Sequence, residues 1–287
     1  MQLRTTIIGT AAALALIPAG SAAAATITGG PGNERLVGTK VADTISGGGG
    51  NDRIFGRAGD DQLTGGTGND RIFGGDGNDT ILGLQGNDWL NGGPGNDTIT
   101  GDANGTGDLT SYDHLYGGSG DDTLHGGDSR DRMAGGPGND VMDGGNGNDR
   151  MSGGTGNDVE DGGAGNDTIY ANLGQDVING GDGNDQLWAL ARGDVQPGPG
   201  GAVDTAGDTV NGGNGDDVIH TRDGEVDQVT CGPGDDVALL DEVDVITDAT
   251  AANPNGSCEK VVRAQPSAKD SATEDAQQSP AAANVTS

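Results

Sequence analysis

Aspartate recurs every nine residues along most of this chain, each time after a glycine-rich stretch. Residues 65–82, GGTGNDRIFGGDGNDTIL, contain two copies of the pattern G-G-x-G-N-D-x-I-x, with Asp70 and Asp79 in the same place. A carboxylate is a natural ligand for a hard cation, which takes six to eight oxygen atoms in proteins. One carboxylate cannot satisfy such an ion, so backbone carbonyls must converge on it as well. The spacing therefore indicates repeated cation sites.

Glycine permits the turn that this convergence requires, because it adopts positive φ at little steric cost. Asparagine tolerates the same geometry better than most residues, and it precedes the aspartate at Asn51, Asn69, Asn78 and Asn96. The eighth position of the unit is almost always apolar. It is occupied by Ile54, Leu63, Ile72, Ile81, Leu90, Ile99, Leu124, Met133, Met142, Met151, Ile169, Ile178 and Leu187.

These positions predict the elements that hold the aspartates. Positions 7 to 9 of each unit are expected to form a three-residue strand and the other six residues a turn. Because successive side chains of a strand point to opposite sides, position 8 faces inward while positions 7 and 9 face outward. The units run through residues 29–100, 117–188 and, more loosely, 212–239. Irregular inserts are predicted near 101–116 and 189–211.

Composition alone would favour a disordered chain. Of 287 residues, 59 are glycine and 2% are aromatic, and the formal net charge is −31. A random Gly/Asp-rich tract, however, would not keep an aliphatic residue in register with an aspartate over about 200 residues. The acidic balance also argues against nucleic acid and anionic membrane surfaces as partners. It favours cations.

The units GGTGNDRIF, GGDGNDTIL and GGAGNDTIY resemble the nonapeptide G-G-x-G-x-D-x-U-x of RTX, or haemolysin-type calcium-binding, repeats. The resemblance covers residues 29–239. It implies an all-β fold, a calcium-stabilised parallel β-roll (a β-helix solenoid) with two nonapeptides per coil. About eleven coils, spaced about 4.8 Å apart, would make a rod on the order of 50 Å long. It also implies multiple Ca²⁺ ions as cofactors.

In the family pattern each calcium ion lies between the turns of neighbouring coils, so aspartates two repeat units apart form pairs along two edges. The metal ligands implied in this way are Asp52, Asp61, Asp70, Asp79, Asp88, Asp97, Asp122, Asp131, Asp140, Asp149, Asp158, Asp167, Asp176, Asp185, Asp217 and Asp236. Weaker sites are expected at Asp43, Asp113, Asp208 and Asp227. Since only one residue in nine is a buried aliphatic, the chain is expected to be unfolded without calcium.

Some positions depart from the pattern. Glu160 occupies an inward eighth position. The preferred interpretation is a local distortion or a shifted strand, and the alternative is an extra internal ligand beside Asp158. The units 38–43 and 126–131 lack the fourth glycine, which predicts weaker binding there.

Arginine and aromatic residues recur in every second unit at outward positions of one predicted face, so they should stack from coil to coil. They are Arg35, Arg53 and Arg71, Phe55 and Phe73, Arg132 and Arg150, and Tyr170 and Trp188. One interpretation is in-register packing along the sheet. The alternative is an adhesive platform for cell-surface glycan or protein, because arginine and aromatic side chains are enriched at interfaces.

The two ends of the chain predict secretion. Residues 1–25 have one basic residue, an apolar run and the sequence SAAAA, as in a signal peptide cleaved after Ala24 or Ala25. No other stretch is apolar enough to span a membrane.

Two cysteines in a secreted chain favour one disulfide, Cys231–Cys258. The domains are therefore a repeat region at 26–239, a disulfide-linked cap at 240–263 and a disordered tail at 264–287.

The sequence contains no catalytic constellation. His114, His125 and His220 are scattered over outward positions, and the many G-x-G-x-x-G matches are by-products of the repeat. We expect a secreted, extracellular calcium-binding repeat protein with a structural or surface role, and no enzyme. The alternative is an adhesive or glycan-binding module that uses the arginine and aromatic face.

Overall fold

The computed structural model describes residues 5–8, 14–15, 23–102, 111–189 and 207–264. These residues form strands and turns. The strands are β1 (Thr5–Ile8), β2 (Leu14–Ala15), β3 (Ala25–Thr28), β4 (Arg35–Val37), β5 (Thr44–Gly49), β6 (Arg53–Ala58), β7 (Gln62–Thr67), β8 (Arg71–Asp76), β9 (Thr80–Gln85), β10 (Trp89–Pro94), β11 (Thr98–Thr100), β12 (His114–Ser119), β13 (Thr123–Asp128), β14 (Arg132–Pro137), β15 (Val141–Asn146), β16 (Arg150–Thr155), β17 (Val159–Ala164), β18 (Thr168–Leu173), β19 (Val177–Asp182), β20 (Gln186–Trp188), β21 (Thr209–Asn214), β22 (Val218–Thr221), β23 (Gln228–Thr230), β24 (Val237–Leu240), β25 (Val245–Ile246) and β26 (Lys260–Arg263).

The strands form two parallel sheets, which we call the odd and the even sheet after the strand numbers. Each sheet has 13 strands, and every strand pairs with the strand two places along the chain. Ile54 lies beside Ile72, its counterpart one coil further on. The predicted parallel β-roll with two units per coil is therefore confirmed. Strands β3 to β24 make the eleven coils expected for residues 26–239.

Both predicted inserts interrupt the spacing without ending either sheet. Trp89 pairs with His114 across the first insert, and Ile178 pairs with Val210 across the second. The same ladders continue on both sides. Much of the first insert, residues 101–102 and 111–116, thus belongs to the solenoid, whereas 103–110 and 190–206 lie outside the described residues.

The strands are longer than the predicted three residues. Most span six, as in Arg53–Ala58, which covers positions 7 to 9 of one unit and the first three of the next. The reason is that the glycines after the aliphatic triplet also pair in register, as Gly48 does with Gly66. The expected division into three strand residues and six turn residues was wrong in this respect.

The core is a narrow double row of eighth-position side chains, one row from each sheet. Ile54, Ile72, Ile81 and Leu90 are completely buried. The apolar residues of both rows belong to one cluster that runs from Ala25 to Cys258, and Glu160 interrupts it in the odd-sheet row. Each coil contributes only two such side chains, so burial alone gives each coil little stabilisation.

Positions 2 and 4 of the units adopt the left-handed backbone that favours glycine. Gly48 and Gly50, for example, have φ of 101° and 93°. Among the described residues, four that are not glycine take the same conformation: Arg57, Leu84, Ser129 and Asn172, with φ between 80° and 92°. These four positions carry steric strain that the pattern elsewhere avoids.

Replacing Leu84 by glycine is expected to stabilise the calcium-loaded protein by about 1 kcal/mol, because it removes the strain of an L side chain at φ 80°. Leu84 is 37% exposed, so little burial is lost. Thermal unfolding at fixed calcium concentration measures the change. Gln85→Gly is the matched control, because Gln85 is an exposed neighbour outside the left-handed region. It should destabilise slightly, and equal stabilisation by both changes would contradict the explanation.

The ends of the solenoid extend beyond the recognised repeats. The segment expected to be a signal peptide contains β1 and β2, which pair with β3 and β4. The segment expected to be a cap adds β25 and β26, one strand to each sheet. Cys231 and Cys258 form the expected disulfide. No helix of the length and apolar character needed to cross a bilayer occurs in the described part of the chain.

Candidate calcium sites

The sixth-position aspartates form two continuous rows, one along each edge where the chain turns between the sheets. Within a row, the backbone N–H of each aspartate donates to Oδ1 of the aspartate in the next coil. Asp52 donates to Asp70, and Asp70 to Asp88, each at 2.7 Å. On the other edge Asp61 donates to Asp79 at 2.8 Å. The structure therefore brings together the aspartates that the pairing of every second unit predicts.

The rows continue across the irregular segments. Asp88 donates to Asp113 and Asp97 to Asp122, each at 2.7 Å. Beyond the second insert, Asp185 donates to Asp217 at 2.9 Å. The first edge carries Glu34, Asp52, Asp70, Asp88, Asp113, Asp131, Asp149, Asp167, Asp185, Asp217 and Asp236. The second carries Asp43, Asp61, Asp79, Asp97, Asp122, Asp140, Asp158, Asp176, Asp208 and Asp227.

In most of these carboxylates the second oxygen is buried and accepts no hydrogen bond. This holds for Oδ2 of Asp52, Asp61, Asp70, Asp79, Asp88, Asp97, Asp113, Asp122, Asp131, Asp140, Asp149, Asp158, Asp167, Asp185, Asp217, Asp227 and Asp236. A buried charged oxygen without a partner is costly. Such oxygens recur along both edges, which indicates that a cation or a proton binds to each of them.

The first glycine of each unit lies against this oxygen. A Cβ on Gly47 would stand 2.2 Å from Asp52 Oδ2 and 2.5 Å from the carbonyl oxygen of Gly65 in the next coil. At Gly74 the corresponding distances are 2.1 Å to Asp79 Oδ2 and 2.6 Å to the Gly92 carbonyl. Glycine thus leaves open the space between the aspartate Oδ2 and the carbonyl oxygen of the next coil. We call this space a cradle, and a methyl group would fill it.

The donors around each cradle fit a hard cation. They are carboxylate and backbone carbonyl oxygens, which Ca²⁺ prefers, with neither sulfur nor imidazole. In the described ranges no three Asp, Glu, His or Cys side chains cluster closely enough to hold a metal by themselves. Backbone carbonyls must therefore supply part of any coordination shell, which explains why glycine is needed at the cradle.

Burial raises the pKa of the row aspartates in the metal-free fold. It raises the pKa of Asp61 to about 7 and that of Asp113 to about 9, although the backbone N–H that each accepts acts in the opposite direction. Burial likewise raises the pKa of Asp208 to about 9. Neighbouring carboxylates add to the rise at each of these residues. A proton and a cation thus compete for the same oxygens.

Acid is expected to favour the metal-free solenoid. Because the folded pKa values exceed the unfolded value, these groups stabilise the fold fully below about pH 4 and lose that contribution as pH rises through folded pKa values of about 6 to about 10. Circular dichroism in EDTA should therefore show β structure at pH 4.5 that disappears by pH 8. Dilute protein checked by sedimentation excludes aggregation near the isoelectric point. Equal β content at both pH values would contradict this reading.

The structure adds row members that the sequence analysis missed at the C-terminal end. Asp227 donates to Asp244 Oδ1 at 3.3 Å, and Asp236 donates to Glu259 Oε2 at 2.8 Å. Both acidic residues stand two places before an inward apolar residue, Ile246 and Val261, as the aspartates of nearly all units do. An acidic residue two places before an apolar one could have identified both residues from the sequence. The nine-residue period is lost in this segment, so the pattern was not recognised there.

Asp43 differs from the other row members. Its Oδ2 accepts the backbone N–H of Thr39, and its Oδ1 accepts the Thr39 hydroxyl. Thr39 stands where most units have glycine, so a local departure from the sequence pattern supplies the hydroxyl that binds Asp43. In contrast, Asp113 and Asp227, which were also expected to form weaker sites, keep a buried Oδ2 without a hydrogen bond. Weaker calcium binding at these residues stays a prediction.

Glu160 does not distort its strand. It pairs in register with Met142 on one side and Ile178 on the other, and it is 1% exposed. The preferred interpretation, a local distortion or shifted strand, was therefore wrong. Burial raises the pKa of Glu160 well above its usual value, and the charges of Asp176, Asp158 and Asp208 add to this rise.

The arginine and aromatic residues lie on the outer face of the even sheet, as predicted, and they stack along it. Phe55 and Phe73 are parallel with ring centres 5.2 Å apart, and Arg35 lies 4.6 Å from the centre of Phe55. Tyr170 and Trp188 stack at 4.8 Å, but they are only 1% and 5% exposed. Packing from coil to coil therefore covers ring faces that would have to be exposed for these residues to bind a glycan or a protein.

Comparison with known families agrees with this geometry. The family described as "RTX calcium-binding nonapeptide repeat (4 copies)" matches residues 28–63, 55–90, 73–104, 110–133, 125–160, 161–191 and 204–238. No curated protein matches the chain. The matched segments cover most of the chain and contain both rows of carboxylates. The chain therefore belongs to the RTX calcium-binding nonapeptide-repeat family.

Proposed function

We propose that this chain is a secreted calcium-binding protein with a structural or surface role, and that its β-roll folds when Ca²⁺ binds between successive turns. The observation that carries the proposal is the pair of rows of buried Oδ2 atoms, each beside a carbonyl oxygen of the neighbouring coil. A ligand that binds only the folded state stabilises it by mass action.

Each proposed site combines one row carboxylate with its counterpart in the next coil and the carbonyls of the intervening glycines. Calcium supplies the positive charge that offsets two columns of like charge. The aspartates predicted from the sequence are the proposed ligands, and Asp244 and Glu259 are proposed to extend the two rows at their C-terminal end. Glycine at position 1 keeps the cradle open, as at Gly47 and Gly74.

Secretion and the absence of catalysis are part of the same proposal. A signal peptide cleaved after Ala24 or Ala25 would remove β1 and β2 and leave β3 and β4 as the first strands of the mature protein. The Cys231–Cys258 disulfide suits an oxidising compartment. We assign no reaction to the histidines, since His114 stacks on Trp89 and His220 stacks on Trp188 on the outer face of the even sheet.

Calorimetric titration of the mature chain with Ca²⁺ tests the central claim, and native mass spectrometry counts the ions. We expect many ions per chain and no comparable binding of Mg²⁺, which requires a stricter octahedral shell. Binding of at most one or two ions would overturn the proposal. Recovery of the mature chain outside the cell, with its N-terminus sequenced, tests secretion, and retention of residues 1–24 would contradict it.

A second candidate function is binding of an acidic glycan along the even sheet. A groove of about 850 Å³ follows the first edge and is lined by Arg35, Arg53, Arg71, Asn51 and Asn69, and also by Glu34, Asp52, Asp70 and Asp88 of the carboxylate row. The three arginines are exposed and recur once per coil. Oδ1 of Asn51 accepts the Asn69 N–H at 2.9 Å, which leaves the amide nitrogen as a donor. When calcium neutralises the row carboxylates, the remaining cationic and amide donors suit a polymer with repeated carboxylates.

Binding of hyaluronan, with neutral dextran as the control polymer, tests this second function in calcium. The double variant Arg53→Gln/Arg71→Gln should weaken hyaluronan binding about tenfold or more if the groove holds a carboxylated sugar. Gln62→Ala, on the outer face of the odd sheet, is the matched control and should bind as the parent does. Equal binding of hyaluronan and dextran, or no effect of the arginine changes, would exclude this function.

A further inference from the structure

Glu160 is the one acidic side chain in the inward eighth-position rows of the described solenoid. Its neighbours in the odd sheet are Met142 and Ile178, and the corresponding positions in every other described coil are apolar. Both of its carboxylate oxygens are buried, and neither accepts a hydrogen bond. A carboxylate in such a place needs a cation or a proton, because isolated burial of the charge is costly.

The carboxylate lies on the core side of one particular cradle. Gly153 lines this cradle, since a Cβ there would stand 2.3 Å from Asp158 Oδ2 and 2.9 Å from the Ala171 carbonyl. Glu160 follows Asp158 by two residues with exposed Val159 between them, so the two buried carboxylates face the same inward side of the chain. Glu160 is thus the next inward side chain after the aspartate that lines this cradle.

Charge count distinguishes this cradle from the others. If each row aspartate is shared between two successive ions, a site receives on average one negative charge against two positive ones. One further carboxylate neutralises the site. Ligand charge is a main determinant of Ca²⁺ affinity in proteins, so the site should be tighter than its neighbours.

We propose that Glu160 is an internal carboxylate ligand of the calcium site between the Asp158 and Asp176 turns. This proposal rests on the proposed calcium-dependent folding. This site is the tightest on its edge and fills before the others. The second block of repeats then has a preferred starting point for ordering, because in a solenoid each coil is stabilised by its neighbours.

The test compares calcium titrations of the full chain with those of Glu160→Met, Glu160→Gln and Met142→Leu. Glu160→Met keeps the volume and makes the row uniformly apolar, so it should fold in excess calcium. We expect both Glu160 variants to lose the tightest binding phase, which weakens by about tenfold or more. Met142→Leu changes the same row without touching a carboxylate and should titrate like the parent chain.

Two outcomes would overturn the inference while leaving the proposed function intact. One is a Glu160→Met variant that binds calcium as the parent does and is simply more stable. The other is an infrared C=O stretch of a protonated carboxylic acid that persists in saturating calcium and vanishes in Glu160→Met. A parent chain that binds no calcium would instead overturn the proposed function and this inference with it.

Discussion

Removal of calcium with EDTA at pH 7.5 is expected to abolish the β-sheet circular dichroism of this protein, and millimolar calcium is expected to restore it. Most carboxylates of the two rows have a buried Oδ2 that accepts no hydrogen bond, and the core consists of about one aliphatic side chain per nine residues. Each site filled at a hundredfold excess over its Kd stabilises the fold by about 2.7 kcal/mol. Many such sites act together, so the transition should be steep in calcium concentration.

Magnesium at equal ionic strength is the control for this experiment. It screens the carboxylate rows as effectively as calcium does in solution, but it holds its water shell and demands octahedral geometry. It should therefore leave the chain unfolded. The same β content in EDTA as in calcium would refute calcium-dependent folding, and full recovery in magnesium would show that screening alone is sufficient.

The change Gly74→Ala is expected to remove at least one calcium ion and to destabilise the calcium-loaded protein by about 3 kcal/mol. The new methyl group would lie 2.1 Å from Asp79 Oδ2 and 2.6 Å from the Gly92 carbonyl oxygen. Both are proposed ligands of one site, so they cannot converge while the methyl group is present. Calorimetry gives the ion count, and denaturation at fixed calcium gives the free energy of unfolding.

Asp76→Ala is the matched control, because Asp76 is an exposed residue of the same turn, two places away. Its replacement removes a carboxylate without filling the cradle and should change stability by no more than about 0.5 kcal/mol. If Asp76→Ala costs as much as Gly74→Ala, general charge or turn propensity would explain the effect. An unchanged ion count in Gly74→Ala would show that the cradle is not a metal site.

The period of the sequence, together with its resemblance to RTX repeats, was sufficient to predict the topology. Because Ile54, Ile72 and Leu90 recur in every second unit, they had to stack in one sheet, and the structure places them in register. The same spacing predicted which aspartates face each other. It failed where the period changes, so Asp244 and Glu259 were missed although they end the two rows.

Other features needed the folded chain because they depend on what surrounds a residue. Strand length was underestimated, since glycines have weak strand propensity but pair here with identical glycines one coil away. Tyr170 and Trp188 point outward in the alternation and stack on each other, yet they are buried, whereas the stacked Phe55 and Phe73 are half-buried. The outward position of a side chain in a strand does not fix its exposure.

The sequence by itself determined the nine-residue phase and, through its resemblance to RTX repeats, the β-roll and the two rows of aspartates, because equal coils of two units stack in register. Only the tertiary structure decided how the rows are built. The hydrogen bond from each aspartate N–H to the next Oδ1, and the Oδ2 left against the first glycine, join residues of different coils. The tertiary structure also decided the surroundings of Glu160. Its carboxylate is buried without a hydrogen bond because strands that are distant in the chain pack against it.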